Sequence, residues 1–412
     1  MSADGTLAAL AAPMARELRE GILPYWLARA VDVDRGGFVG LIDGNDVADP
    51  DAPKGAILNA RILWTFAAAS RVLGDDAYRV AAARAARYVR ECLFDPVHGG
   101  VYWMLNADGS ARDARKHVYA QAFAIYALSE HHRATGDAES LAAAVSLFRL
   151  VERHAHDALH GGYEEAFTRE WVRLDDVRLS DEDADERKSM NTHLHVLEAY
   201  ANLYRVWPDA LLRARLGEVV ELFATRIVDA ATGHLRLFFD ADWTPRSTTV
   251  SYGHDIEASW LLLEAAEVHG DPALRARVRP ACLALATAVR DEAYDTAAGG
   301  IFYEAHLGRP VETFKEWWVQ AEAIVGFVDA WRETGDASFA RAARGTWAFT
   351  DRHLVDHVHG EWFRRTTRDG TRVAGFEKVG PWKCSYHNAR ACLVVMARAG
   401  AGEAVLHVAV SA

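Results

Sequence analysis

The sequence predicts an all-α fold, an (α/α)6 barrel: a toroid of six helical hairpins, twelve helices, with short β-hairpins in the long loops. Three observations lead there. A glycine-centred turn recurs six times, helical periodicity fills the segments between, and the connectors alternate between long and short. The turn reads D-R-G-G-F-V-G at Asp34, D-P-V-H-G-G-V-Y-W at Asp95 and D-A-L-H-G-G-Y at Asp157. It returns in degenerate form as D-A-A-T-G-H-L at Asp229, then as D-T-A-A-G-G-I-F-Y at Asp295 and D-H-V-H-G-E-W-F at Asp356. The repeat is about 60 to 70 residues.

The first outer helix is expected over 7–30 and its inner partner over 55–73, with the first glycine turn between them. The second pair spans 77–93 and 117–135, the third 138–156 and 189–207, the fourth 209–229 and 253–269. Segments 272–292 and 315–334 form the fifth pair, 337–355 and 382–399 the sixth. After each glycine a short aromatic or β-branched run suits a strand. Short G-D connectors at Gly74, Gly136, Gly270 and Gly335 join one pair to the next; Gly suits a helix C-cap and Asp the following N-cap. An open superhelix is the structural alternative, but its repeats are much shorter. No linker, low-complexity tract or charge run divides residues 1–412, so a single catalytic domain is expected.

Composition narrows the function classes. The net charge of −12 argues against non-specific nucleic-acid binding, which depends on clustered Lys and Arg. No apolar run reaches a membrane span, and the N-terminus M-S-A-D-G-T-L-A-A-L lacks the basic n-region of a signal peptide; a cytoplasmic protein is expected. Cys92, Cys282, Cys384 and Cys392 are scattered and read as reduced thiols, without a disulfide framework or zinc site. The reading requires no protein partner and is compatible with a monomer.

The expected inner helices carry unusual residues near their starts. Lys188 to Tyr200, K-S-M-N-T-H-L-H-V-L-E-A-Y, puts Asn191 and His195 four apart on one face, with His193 on another. The first inner helix offers Arg61 and the second Tyr119; the fourth offers His254 and Glu257 from S-Y-G-H-D-I-E-A-S-W. Trp317, Trp318 and Glu322 come from K-E-W-W-V-Q-A-E, and Trp382, His387 and Asn388 from G-P-W-K-C-S-Y-H-N-A-R. A lone histidine is most simply a satisfied core residue. Six helices contributing in phase are a different matter, because buried charges and donors need partners or a ligand.

A tri-histidine zinc site is conceivable, but the histidines fall on three helices without a metal-type H-x-x-x-H pair. No metal or other cofactor is expected. Glycoside hydrolysis needs two flanking carboxylates. Glu257 and Glu322 are available, although Glu257, one turn after His254, also suits orienting that imidazole. The excess of histidine points to proton transfer near neutral pH. Aromatic residues beside Arg and Asn suit a sugar, whose faces stack and whose hydroxyls take hydrogen bonds. A non-catalytic sugar-binding protein is the rival from another class.

The four long motifs just quoted resemble the cellobiose 2-epimerases, within the larger N-acylglucosamine 2-epimerase superfamily. The resemblance runs from the first glycine turn to the last inner helix. It implies the same barrel and inversion at C2 of a reducing-end glucose or mannose unit, without metal or nucleotide. By motif, it implies that His254 and His387 are the two acid/base histidines and that His195 opens the sugar ring. It further implies that Arg61, Tyr119, Asn191 and Glu257 surround the reacting carbons, that Trp317, Trp318 and Trp382 are aromatic platforms, and that Asp183 lies in a loop holding the distal sugar. Enzymes that epimerise free monosaccharides or interconvert mannose, glucose and fructose share these residues. One departure is Ser385, where proline is expected in many relatives; it implies a looser turn before His387.

Overall fold

The computed structural model describes residues 3–179, 184–306 and 312–400. Six inner helices form a ring: α3 (Ala56–Leu73), α5 (Val118–Thr135), α7 (Met190–Tyr204), α9 (Tyr252–His269), α11 (Trp317–Thr334) and α13 (Tyr386–Arg398). Each packs on the next, and α13 closes the ring on α3. The outer layer is α1 (Ala3–Glu17) with α2 (Leu23–Arg29), α4 (Asp76–Tyr88), α6 (Ala138–His154), α8 (Ala210–Leu222), α10 (Pro272–Ala288) and α12 (Ala337–His353). A five-residue π-turn, Leu18–Ile22, joins α1 and α2 into one rod, so the described helices make the twelve rods expected. Similar π-turns end the outer rods at Val89–Leu93, Phe223–Ile227 and Val289–Ala293, where unbroken α-helix had been expected.

The inner helices are buried almost all round, which removes the amphipathic contrast of a surface helix. The short connectors behave as their residues dictate. Gly74 takes φ 72° at the C-cap of α3, and Asp75 caps α4 by accepting from the Ala77 N–H. Among the described residues no helix is long and apolar enough to cross a membrane, and the four cysteines are free.

The opposite connectors build the mouth. Lys54–Gly55 pairs antiparallel with Met104–Leu105, Lys116–His117 with Ala166–Phe167, and Lys188–Ser189 with Phe238–Phe239. Thr249–Ser251 pairs with Glu304–His306 and Lys315–Glu316 with Arg365–Thr366, and an Ile42–Val379 bridge completes the circle. Every repeat therefore holds the next just before an inner helix begins.

A buried lysine fixes most of these corners. Lys54, Lys116, Lys188, Lys315 and Lys378 meet Asp32, Asp95, Asp157, Asp295 and Asp356 at 2.7, 3.1, 2.8, 3.3 and 2.6 Å. The first turn is thus anchored by Asp32 rather than Asp34, since its Oδ1 accepts from the Asp34 and Arg35 N–H groups. The degenerate fourth repeat has Val250 where the strand lysine would stand, and Asp229 pairs with Arg236 instead.

Candidate active site

Because the inner helices are equivalent, equivalent positions form rings. One ring, two residues further along than Asn59, Gln121, His193, Asp255, Gln320 and Asn388, consists of Arg61, Phe123, His195, Glu257, Glu322 and Arg390. All six are buried. His254 and His387 lie just above it, towards the mouth.

On one wall, Arg61 Nη2 donates to the Tyr119 hydroxyl at 3.0 Å, and its guanidinium lies 4.3 Å from the Phe123 ring centre. The His195 ring packs edge-on to Tyr119 at 4.8 Å and against Phe123 at 4.6 Å. Asn191, one turn earlier, has a buried Oδ1 with no partner among the described residues. On the other wall, Trp318 contacts both remaining histidines, with ring centres 4.8 Å from His254 and 5.7 Å from His387. Gly253 makes this possible, because a Cβ there would lie 2.4 Å from the Trp318 ring.

Each imidazole is anchored through Nδ1: His195 to Glu198 Oε1 at 2.6 Å, His254 to Ser251 Oγ at 2.7 Å and His387 to Glu322 Oε1 at 2.6 Å. That leaves Nε2 of His254 and His387 for a substrate. Burial drives His195 and His254 down to about 3, and His387 well below its ordinary value with Arg61 and Arg390 adding to the effect. Burial also pushes Glu322 up, against the opposing pull of Arg390. Burial thus favours neutral imidazoles, the form that accepts a proton.

Glu257 does not orient His254. Arg390 draws it across the ring: Nη2 donates to Glu257 Oε1 at 2.5 Å and to Glu322 Oε1 at 2.7 Å. Trp317 is 3% exposed and stands beside His387 under Lys383, whereas Trp318 is partly open to the cavity. Consecutive helical residues point about 100° apart, so the two tryptophans do not share a face. Trp382 precedes α13 instead of opening it and meets Tyr119 and Trp103, each at 6.1 Å. Ser385 is buried and donates to Thr65 Oγ1 at 3.1 Å, which ties the turn before His387 to α3. Asp183 lies outside the described residues.

Among the described residues, two groups of carboxylates and histidine are close enough to share a cation, and each already surrounds a side-chain cation. Arg390 sits on Glu257 and Glu322 beside His387. Lys378 sits on Asp46 and Asp356 beside His359.

Residues 36–391 match the N-acylglucosamine 2-epimerase family. The chain belongs to that family. It is 50% identical over 384 residues to the cellobiose 2-epimerase of Bacteroides fragilis, covering 93% of this chain and 97% of that one. It is 37% identical to the cellobiose 2-epimerase of Ruminococcus albus, with the same coverage. The structure of cellobiose 2-epimerase from Bacillus thermoamylovorans superposes with TM-score 0.90 at 38% identity, covering 95% of this chain and all of that one.

Sequence reasoning missed several members of this candidate site. Glu198 stands three residues after His195 and Arg390 three after His387, spacings at which helical side chains meet. Trp103, Arg115, Asp176 and Arg178 were also missed; with Met104 and Trp382 they border a cleft of about 390 Å³ at the mouth. They come from the long loops before α5 and α7, whose meeting at the mouth sequence spacing does not encode.

Proposed function

We propose that the barrel acts as a single catalytic unit that epimerises C2 of the reducing-end sugar of a cellobiose-type disaccharide. The observation that carries this reading is the pair His254 and His387. Both are anchored through Nδ1, both lean on Trp318, and both come from different helices of one cavity. After ring opening, the C2 proton is α to an aldehyde and removable by a neutral imidazole. The second imidazole, protonated when the enediolate charge develops beside it, returns its proton to the opposite face, and the first keeps the proton it took. Arg61, always charged, stabilises the enediolate oxygen between those steps. His195, on the facing wall with Tyr119, serves the ring opening that exposes the aldehyde. No metal enters this scheme.

The cleft at Trp382 supports a two-ring substrate. It continues from the Tyr119 wall and offers Trp103 with Arg115, Asp176 and Arg178, aromatic faces and hydrogen-bonding groups suited to a second sugar. The 50% identity to a cellobiose 2-epimerase supports the same substrate.

Incubating the enzyme with cellobiose in heavy water tests the reading. The expected result is deuterium at C2 and glucosyl-mannose on chromatography. Deuterium uptake from mannose or glucose but not from cellobiose would move the substrate class to monosaccharides, and no uptake from any sugar would remove the catalytic reading.

A further inference from the structure

We propose that Arg390 is a positioning residue for two histidines at once, holding and tuning the His195–Glu198 and His387–Glu322 pairs as one electrostatic unit. The proposal rests on the reading above only in taking those imidazoles as working groups. Arg390 is 1% exposed and lies in the ring beneath the cavity. Its Nη1 donates to Glu198 Oε2 at 2.7 Å and to the Tyr386 hydroxyl, which itself donates to the same carboxylate oxygen at 2.6 Å. Its Nη2 donates to Glu257 and Glu322. Glu198 gives its other oxygen to His195 Nδ1, and Glu322 shares Oε1 between Arg390 and His387 Nδ1. One guanidinium is thus a single carboxylate away from both imidazoles.

Two consequences follow. The planar fork fixes the carboxylates, and the carboxylates fix the rings, so both imidazoles inherit their orientation from one side chain. The positive charge also lowers the proton affinity of both rings. Burial is the larger influence on each, and Arg61 acts in the same sense as Arg390. The other groups facing the cluster are Glu257, the Trp260 ring 4.9 Å from the guanidinium, Tyr386 and the neighbouring imidazoles. His254 is the internal control. Its Nδ1 partner is a serine hydroxyl, and the charges that act on it are His195 and Arg61.

The test is side-chain NMR of the full chain labelled with ¹⁵N-histidine, titrated from about pH 8 down to about pH 3, a range that reaches from free histidine to the low value burial imposes on His195. R390M should raise the midpoints of His195 and His387 together by about one unit or more, while His254 does not rise. R390Q, which keeps hydrogen bonds to the carboxylates, gives the same expectation if the methionine chain does not fold. R390K keeps the charge but not the fork. Its midpoints should stay near wild type while kcat falls about tenfold or more at little-changed KM. E198Q removes one of the three carboxylates and should lower His387, which Glu198 does not touch. Unchanged midpoints in a folded neutral variant, an equal rise in all three histidines, or His387 unmoved in E198Q each overturn the proposal. The midpoint readouts do not depend on turnover, so they stand even if no sugar is epimerised.

Discussion

His193 and His195 sit two residues apart on one helix and do opposite things. His193 accepts from the Tyr163 N–H at 2.9 Å through Nε2, and its Nδ1 lies 2.7 Å from the Ser189 carbonyl, so both nitrogens serve the backbone. His195 spends one nitrogen on Glu198 and stands on the wall beside Tyr119. The same division runs round the barrel. Gln121 and Gln320 each bond both the N–H and the carbonyl of the residue after a glycine pair, Val101 and Ile301, while Asp255 accepts from the Leu235 N–H. Two residues on, Phe123, Glu322 and Glu257 turn to the centre. At these positions the outward side chains are consumed by structure, whereas each inward imidazole commits only its Nδ1. Residue type does not distinguish the rows; what each side chain has left unspent does.

The largest expected effect lies on the inward side. H254N or H387N should lower turnover about 10²- to 10⁴-fold, read as C2 deuterium uptake in heavy water. The loss should fall mainly on kcat, because proton transfer belongs to the transition state. H193N should leave uptake per folded molecule near wild type. A loss in H193N as large as in H387N would dissolve the distinction between the rows.

The outward row should instead register as stability. Replacing Gln320 by Ala leaves the N–H and carbonyl of Ile301 buried without partners, at a cost of about 3 kcal/mol for the two groups. Urea unfolding measures it, and uptake per folded molecule should be retained. A Q320A chain of wild-type stability would mean the glutamine is not what holds that corner.

These two rows were unequally legible in the sequence. The glycine turns, the G-D connectors and the start of α7 were readable because they repeat, and repetition turns a weak local signal into a strong one. His195, His254 and His387 could be singled out, since imidazoles at the starts of buried helices demand partners. What those partners are was not legible. Glu257 is spaced to serve His254 yet is pulled to Arg390, a choice decided by a contact between α9 and α13 that spacing cannot encode. The π-turns were invisible for a different reason: one extra residue in a turn barely disturbs the apolar pattern. Trp382 was assigned to a helix that begins only at Tyr386, because no Gly or Pro between them marks the turn that the Gly380 N–H closes on the Lys383 carbonyl.

The smallest expected effect sharpens the comparison through pH. Burial holds His193 down at about 4, against an ordinary value of 6.5. Below about pH 6.5 the unfolded chain therefore binds a proton that the folded chain refuses, and stability falls with pH until about pH 4. At pH 5 this single histidine should cost about 2 kcal/mol relative to neutral pH, at 1.36 kcal/mol per unit. H193N removes that slope. The variant should be less stable than wild type near pH 7.5, where it loses the bond from Tyr163, and the gap should narrow by about 2 kcal/mol at pH 5. Urea unfolding of both chains at the two pH values measures the difference directly. A gap that stays constant or widens on acidification would mean His193 takes up its proton in the folded state, and burial would then not be what sets its charge.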